Sequence, residues 1–282
     1  MRALLAVCLA TVTASFYALA TSLQALEARR APEHEALRAS LIARLLRRPL
    51  WLAGTAAGLA AWPLQAVALS LGSVALVQPA LGFGLVVLLV LGVSVLHETV
   101  GVREVAGAVL ITSAVAILGW AAPSETGSFT TAGTWAVGLT LVVVAPAPYL
   151  LRFARRAGGL PTSVAAGLGW AWVGLGTSLL DVAVAERHIV VAVAWGAGIA
   201  VASWGALLDE MTSLQTWAAT RAIPIAFGLE MLVPAAVSPF LTHRQPPHPV
   251  PFALALALAC VGAGVLGSSR AVARAAAPLT GP

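Results

Sequence analysis

The sequence predicts an all-α, polytopic membrane protein of about nine transmembrane helices arranged as two inverted repeats. Three observations carry that expectation. Of 282 residues, 60% are hydrophobic and only 10% are charged, and the mean hydropathy is +0.93. Several apolar runs reach the roughly 20 residues that a bilayer core requires, and so many could not all be interior in a soluble chain of this length. The third observation is an internal repeat of pattern. The stretch SVALVQPALGFGLVVLLVLGVSVLHETVG, residues 73 to 101, is echoed about 145 residues later by AATRAIPIAFGLEMLVPAAVSPFLTHRQP, with Pro224 in the place of Pro79. A second apolar segment follows each copy, and at the same offset Gly119 falls on Gly264. A proline-interrupted membrane helix at corresponding positions of two halves points to a transporter-type binding site.

Taken in order, residues 3 to 23 form the first span, after Arg2. A cleaved signal peptide is the competing reading of that stretch. Residues 24 to 49 are polar and basic. Within them HEALRASLIARLLRR, about 34 to 49, sets Leu37, Leu41, Ile42 and Leu45 on one face and arginines on the other, the pattern of an interfacial helix lying on lipid. Further spans are expected at about 50–71, 73–96, 105–121, 133–151, 163–183, 189–208, 216–240 and 251–268. The halves are then 1–121 and 133–268, with a tail at 269–282.

All sixteen basic residues are arginine. Alternate loops place twelve of them on one side of the membrane: Arg29, Arg30, Arg38, Arg44, Arg47, Arg48, Arg103, Arg152, Arg155, Arg156, Arg270 and Arg274. The other side receives Arg2, Arg187 and Arg244, and Arg221 lies within a span. Basic residues accumulate on the cytoplasmic side, so the expected orientation in a cell membrane is N-terminus outside and C-terminus in the cytoplasm. That bias also weighs against the signal peptide, which needs Arg2 inside. The third and eighth spans are an odd number apart, so the repeated segments cross in opposite directions.

The motif VALVQPALG at 74–82, the acidic helix end at His97 and Glu98, the following span with Gly107 and Gly119, and the four-plus-five layout resemble the drug/metabolite transporter superfamily. Within it the resemblance is to the nine-span NIPA-type magnesium-transporter branch. The second half departs from that branch: DEMTSLQTWAATRAIP approaches its proline, and His243 stands where the first half has Glu98. The resemblance implies a gradient-coupled carrier whose site lies between the halves, and names no particular solute.

Polar residues at membrane depth are kept where they face protein or water, which makes them site candidates. Glu230, about fourteen residues into its span and flanked by Pro224 and Pro234, is the central one. A structural carboxyl bonded to a neighbouring helix is its plainer reading. Arg221 either belongs to the pathway or pairs with Asp209 or Glu210. Nine residues from Glu230, it faces the opposite side of an unbroken helix. Gln65 and Gln78 are amides at depth, each equally suited to bonding across helices. Pro79 and Pro224 each free a carbonyl that a cavity, and not lipid, satisfies. The expected substrate pathway is therefore Gln65, Gln78, Pro79, Arg221, Pro224 and Glu230. Tryptophans inside spans, Trp62, Trp170, Trp172, Trp195, Trp204 and Trp217, would wall a cavity for an organic or cationic solute or simply pack.

Other chemistry has no motif here. There is no phosphate loop, no zinc spacing and no nucleophile with a base at one depth, so neither an enzyme nor a cofactor is expected. Cys8 and Cys260 lie in spans and make no disulfide framework. The isoelectric point near 10.5 reflects loop arginines and not nucleic acid binding. Expected partners are membrane lipid and a small solute or ion, with a second copy of the chain as a further candidate. Magnesium transport of the NIPA type and a non-transporting membrane scaffold stand as alternatives to an organic-solute carrier.

Overall fold

The computed structural model describes residues 2–72, 74–121, 130–156, 158–242 and 245–267. The side chains of Gln78 and Pro79, residue His243, most of the loop 122–132 and the tail 269–282 lie outside the described residues. The elements are α1 (Arg2–Ala28), a 3-10 turn (Glu33–Glu35), α2 (Ala39–Leu45), α3 (Pro49–Leu71), α4 (Val74–Ser94), α5 (Val102–Ala121), α6 (Thr131–Val144), α7 (Ala147–Phe153), α8 (Leu160–Ala185), α9 (Ile189–Thr216), α10 (Ala219–Thr242) and α11 (Pro249–Gly267). No strand occurs among the described residues. Eight stretches are long and apolar enough to cross a bilayer: α1, α3, α5, α6 with α7, α8, α9, α10 and α11. The described apolar part of α4 is the shorter Ala80–Ser94. The chain is thus an all-α, multi-pass membrane protein.

Three expectations shift at element ends. The stretch 133–151 is not one helix, because Pro146 and Pro148 remove donors and their rings clash with the preceding turn, and the chain restarts as α7 at Ala147. The seventh span does not stop at residue 208: α9 runs on to Thr216, which brings Asp209 and Glu210 inside a helix. The interfacial helix is also corrected. Leu37 takes a left-handed backbone (φ 54°), which confines α2 to seven residues. Its apolar face is not laid on lipid either, since Leu37, Leu41, Ile42 and Leu45 are all buried. Leu41, Ile42 and Leu45 pack with Leu208, Met211 and Leu214 of α9 in the largest apolar cluster. The Leu37 N–H donates to Thr212 Oγ1 (3.0 Å), and Gln215 Nε2 donates to the carbonyls of Ala31 (3.1 Å) and Pro32 (2.8 Å). Arg44 of α2 grips Glu35, in the turn ahead of the helix, with two nitrogens (2.7 and 2.5 Å). That hydrogen bond holds the Glu35 carboxyl below the usual carboxylate range against the opposing cost of burial.

Small residues set the helix spacing, as they do where lipid supplies no hydrophobic drive between helices. A Cβ on Gly54 would sit 2.8 Å from the Ala20 carbonyl oxygen, and one on Gly167 would sit 2.7 Å from that of Ala226. α3 can therefore lie flat on α1, and α8 on α10. The packing order is similar in both halves: α1 touches α3 and α4, and α4 touches α5; α8 touches α9 and α10, and α10 touches α11. α5 and α11 pack on each other where the halves meet. The C-terminal end of α4 meets the N-terminal end of α10, through Glu98 to Ala219 and Thr220.

Candidate functional site

A cavity of about 490 Å³ opens between the halves. Each wall is one helix face at three- and four-residue spacing: Tyr17, Ala20, Thr21 and Gln24 of α1; Trp51, Thr55, Gly58, Leu59 and Gln65 of α3; Leu207 and Glu210 of α9; Ile223, Ala226, Phe227, Glu230 and Met231 of α10. Leu81 of α4 and Trp170 of α8 complete the lining. Helical periodicity survives on α10 because the helix continues through Pro224, Pro234 and Pro239. The expected break at Pro224 is thus absent. Pro224 itself is buried, away from the lining.

The polar groups in the cavity are ordered by neighbours. Tyr17 Oη donates to Gln65 Oε1 (3.0 Å), and Gln24 Nε2 donates to Thr55 Oγ1 (3.3 Å). Thr55 passes its own proton to the Trp51 carbonyl (3.0 Å), and Trp51 Nε1 donates to Met211 Sδ (3.2 Å), closing the floor. Trp170 Nε1 donates to Glu210 Oε2 (2.7 Å). Glu230 accepts no side-chain hydrogen bond among the described residues, so its carboxyl faces the cavity unengaged. The lining has two carboxyl groups, two amides and no basic residue. Such a site attracts a cation or a hydrogen-bond donor and offers Trp, Tyr and Phe faces to an organic body.

The structure places Gln65 and Glu230 in the lining of one cavity. It does not place Arg221 there. That guanidinium points away from the cavity and meets Glu104 of α5, with Nε and Nη2 each 2.8 Å from Oε1. The expected pairing with Asp209 or Glu210 is corrected, because the face of α10 opposite the cavity packs toward α5. Side-chain exposures of 1% for Arg221 and 3% for Glu104 make this a buried ion pair. Glu104 also accepts from the Gly101 N–H (2.8 Å), the reach-back of a third-position glutamate that caps α5.

Glu210 is the site residue that sequence reasoning passed over, having placed it beyond the end of a span. A signal for it exists. Carried forward by the same 145 residues that relate Pro79 to Pro224, Gln65 lands on Glu210. Of the span tryptophans, Trp170 lines the cavity, whereas Trp172 is buried and donates to the Val137 carbonyl (2.8 Å). Trp62 is 71% exposed on the outer surface. Among the described residues no three His, Cys, Asp or Glu side chains lie close enough to hold a metal ion. No protein-family model, curated protein or solved structure matches the chain.

Proposed function

We propose that this chain is an integral membrane transporter that works by alternating access and binds a small organic solute or cation between its halves. The observation that carries the reading is the cavity itself, walled by both halves and holding Glu210 and Glu230 among aromatic faces with no basic group. In this reading α4 also crosses the membrane, which brings the number of spans to nine, and the two halves form an inverted repeat. Support comes from the opposed ends of α4 and α10 and from the cavity positions of Gln65 and Glu210. The arginine-rich ends face the cytoplasm, with the N-terminus outside. Membership of the drug/metabolite transporter superfamily belongs to the same proposal.

Glu230 has the central role. Its carboxyl binds a cation directly or exchanges a proton for one, and Gln65, oriented by Tyr17, supplies the hydrogen bond that fixes the solute. A magnesium carrier would need several hard oxygen ligands around a partly hydrated ion. Two carboxyls and two amides spread over four helices suit that less well than they suit an organic cation.

The test uses reconstituted protein and three probes: tetraethylammonium, guanidinium and Mg²⁺, each driven by a pH gradient. Wild-type protein is expected to carry an organic cation, and Glu230→Gln to lose coupled transport while inserting normally. Transport of Mg²⁺ alone would favour the magnesium reading, and unchanged coupled transport in Glu230→Gln would return that residue to a structural role.

A further inference from the structure

The apolar interior is joined at one end of the molecule and divided at the other. At the end where α1 finishes, one cluster takes in residues of α1, α2, α3, α4, α5, α9, α10 and α11. At the opposite end, Ala6, Ala68 and Leu81 belong to a cluster confined to α1, α3 and α4. Val137, Trp172 and Leu241 belong to another confined to α6, α8, α9 and α10. A third, with Leu118 and Phe252, joins only α5, α10 and α11. Hydrogen bonds between the halves gather at the joined end too: Leu37 to Thr212, Gln215 to Ala31 and Pro32, Trp51 to Met211, and Glu104 to Arg221. At the divided end, Trp120 of α5 stacks on His248 beside α11, with ring centroids 4.3 Å apart.

One further side chain at the joined end makes three hydrogen bonds from the first half to the second. Beyond α4 the backbone turns at His97, which is left-handed at φ 52°, and the Glu98 N–H returns to the Gly92 carbonyl (2.8 Å). This aims the Glu98 carboxylate at the first turn of α10. It accepts from the Ala219 N–H (2.7 Å), the Thr220 N–H (3.0 Å) and Thr220 Oγ1 (2.5 Å), and it pairs with Arg29 at the end of α1. The carboxylate is 5% exposed. A negative group on the free N–H groups of a helix start is favoured both by hydrogen bonding and by the helix dipole. α10 carries Glu230 on its cavity face, so whatever holds the start of α10 also holds the site closed on that side.

We infer that the structure is the conformer closed on its arginine-rich side and that Glu98 is the latch of this closure. Opening there requires the first turn of α10 to leave the Glu98 carboxylate and Arg29 to release it, after which the floor at Trp51 and Met211 parts. The inference rests on the alternating-access reading, and it concerns a residue outside the cavity.

The test needs no substrate. Thr55→Cys places a thiol in the cavity just above the floor, in a chain also carrying Cys8→Ala and Cys260→Ala. A membrane-impermeant maleimide is applied to reconstituted vesicles of either orientation. Without further change the thiol should react slowly from the arginine-rich side and faster from the opposite side. Adding Glu98→Gln keeps the shape and removes the charge. It should raise the rate from the arginine-rich side about tenfold and lower the rate from the other. Thr220→Val, a milder change, should shift both rates in the same directions by less. Equal rates with and without Glu98→Gln overturn the latch, and so does a rise from both sides at once, which is loosening of the fold. If Glu98→Gln leaves the rates alone while Glu230→Gln still abolishes coupled transport, the latch is wrong and the transport reading stands. A thiol reached from neither side in any variant overturns both.

Discussion

Replacing Arg221 by methionine takes a guanidinium away from a carboxylate that is 3% exposed and lies 2.8 Å from it. Breaking a buried ion pair from one side costs about 3–5 kcal/mol, because the remaining charge keeps its desolvation penalty and loses its partner. Glu104→Gln leaves the arginine buried in the same way and should cost a similar amount, with about 1 kcal/mol more for the weakened cap on Gly101. The double variant removes both charges and needs to make up only the net worth of the pair, which for buried pairs is small. Its cost should therefore fall short of the sum of the two by at least about 2 kcal/mol. Equilibrium unfolding in mixed micelles, followed by tryptophan fluorescence, measures all three. Additive costs, or a single variant costing under about 1 kcal/mol, would refute the buried, coupled pair. They would also return Arg221 to the open pathway expected of it from sequence.

Other outcomes follow from the same structure. Gly54→Val should push α3 off α1, since even a Cβ meets the Ala20 carbonyl at 2.8 Å, and cost about 1–3 kcal/mol; an unchanged midpoint in the same micelle titration would deny the close approach. Glu210→Gln should weaken binding of an organic cation while leaving a neutral isostere unaffected, read by calorimetry on purified protein; equal loss for both would assign Glu210 to holding Trp170. Glu35 has a lowered pKa, so its contribution is fully present above the ordinary glutamate value and is lost as the pH falls through the lowered one. The Tm deficit of Arg44→Gln should thus be largest above about pH 6 and shrink toward about pH 3; a constant deficit would mean lost packing. For topology, Ser40→Cys should be labelled only from the cytoplasmic side, and Glu186→Cys, in the α8–α9 turn, only from outside, as should Ser124→Cys.

The all-α, multi-pass character was legible because apolar runs of this length have no other stable placement. The site was legible in part. Glu230 stood out because a carboxyl in mid-span is costly wherever it does not face a cavity, and Gln65 for a weaker form of the same reason. Three features escaped. Proline predicts a missing hydrogen bond and not a broken helix, and α10 absorbs three of them. The face of α2 shows amphipathic periodicity whether its partner is lipid or α9, so the pattern alone could not choose between them. Arg221 found Glu104 across 117 positions of sequence, a tertiary pairing that no local spacing encodes.

The docking of α2 on α9 has a mechanical consequence. α2 is covalently part of the first half, yet its apolar side and the turn before it are fastened to the second. Between Leu45, the last residue of α2, and Pro49, the first of α3, lie only Leu46, Arg47 and Arg48. Four peptide steps pulled fully taut reach about 14 Å. While α2 stays seated, that short leash sets the farthest that the start of α3 can travel from α9. Any separation of the two halves on this side is then capped by chain length.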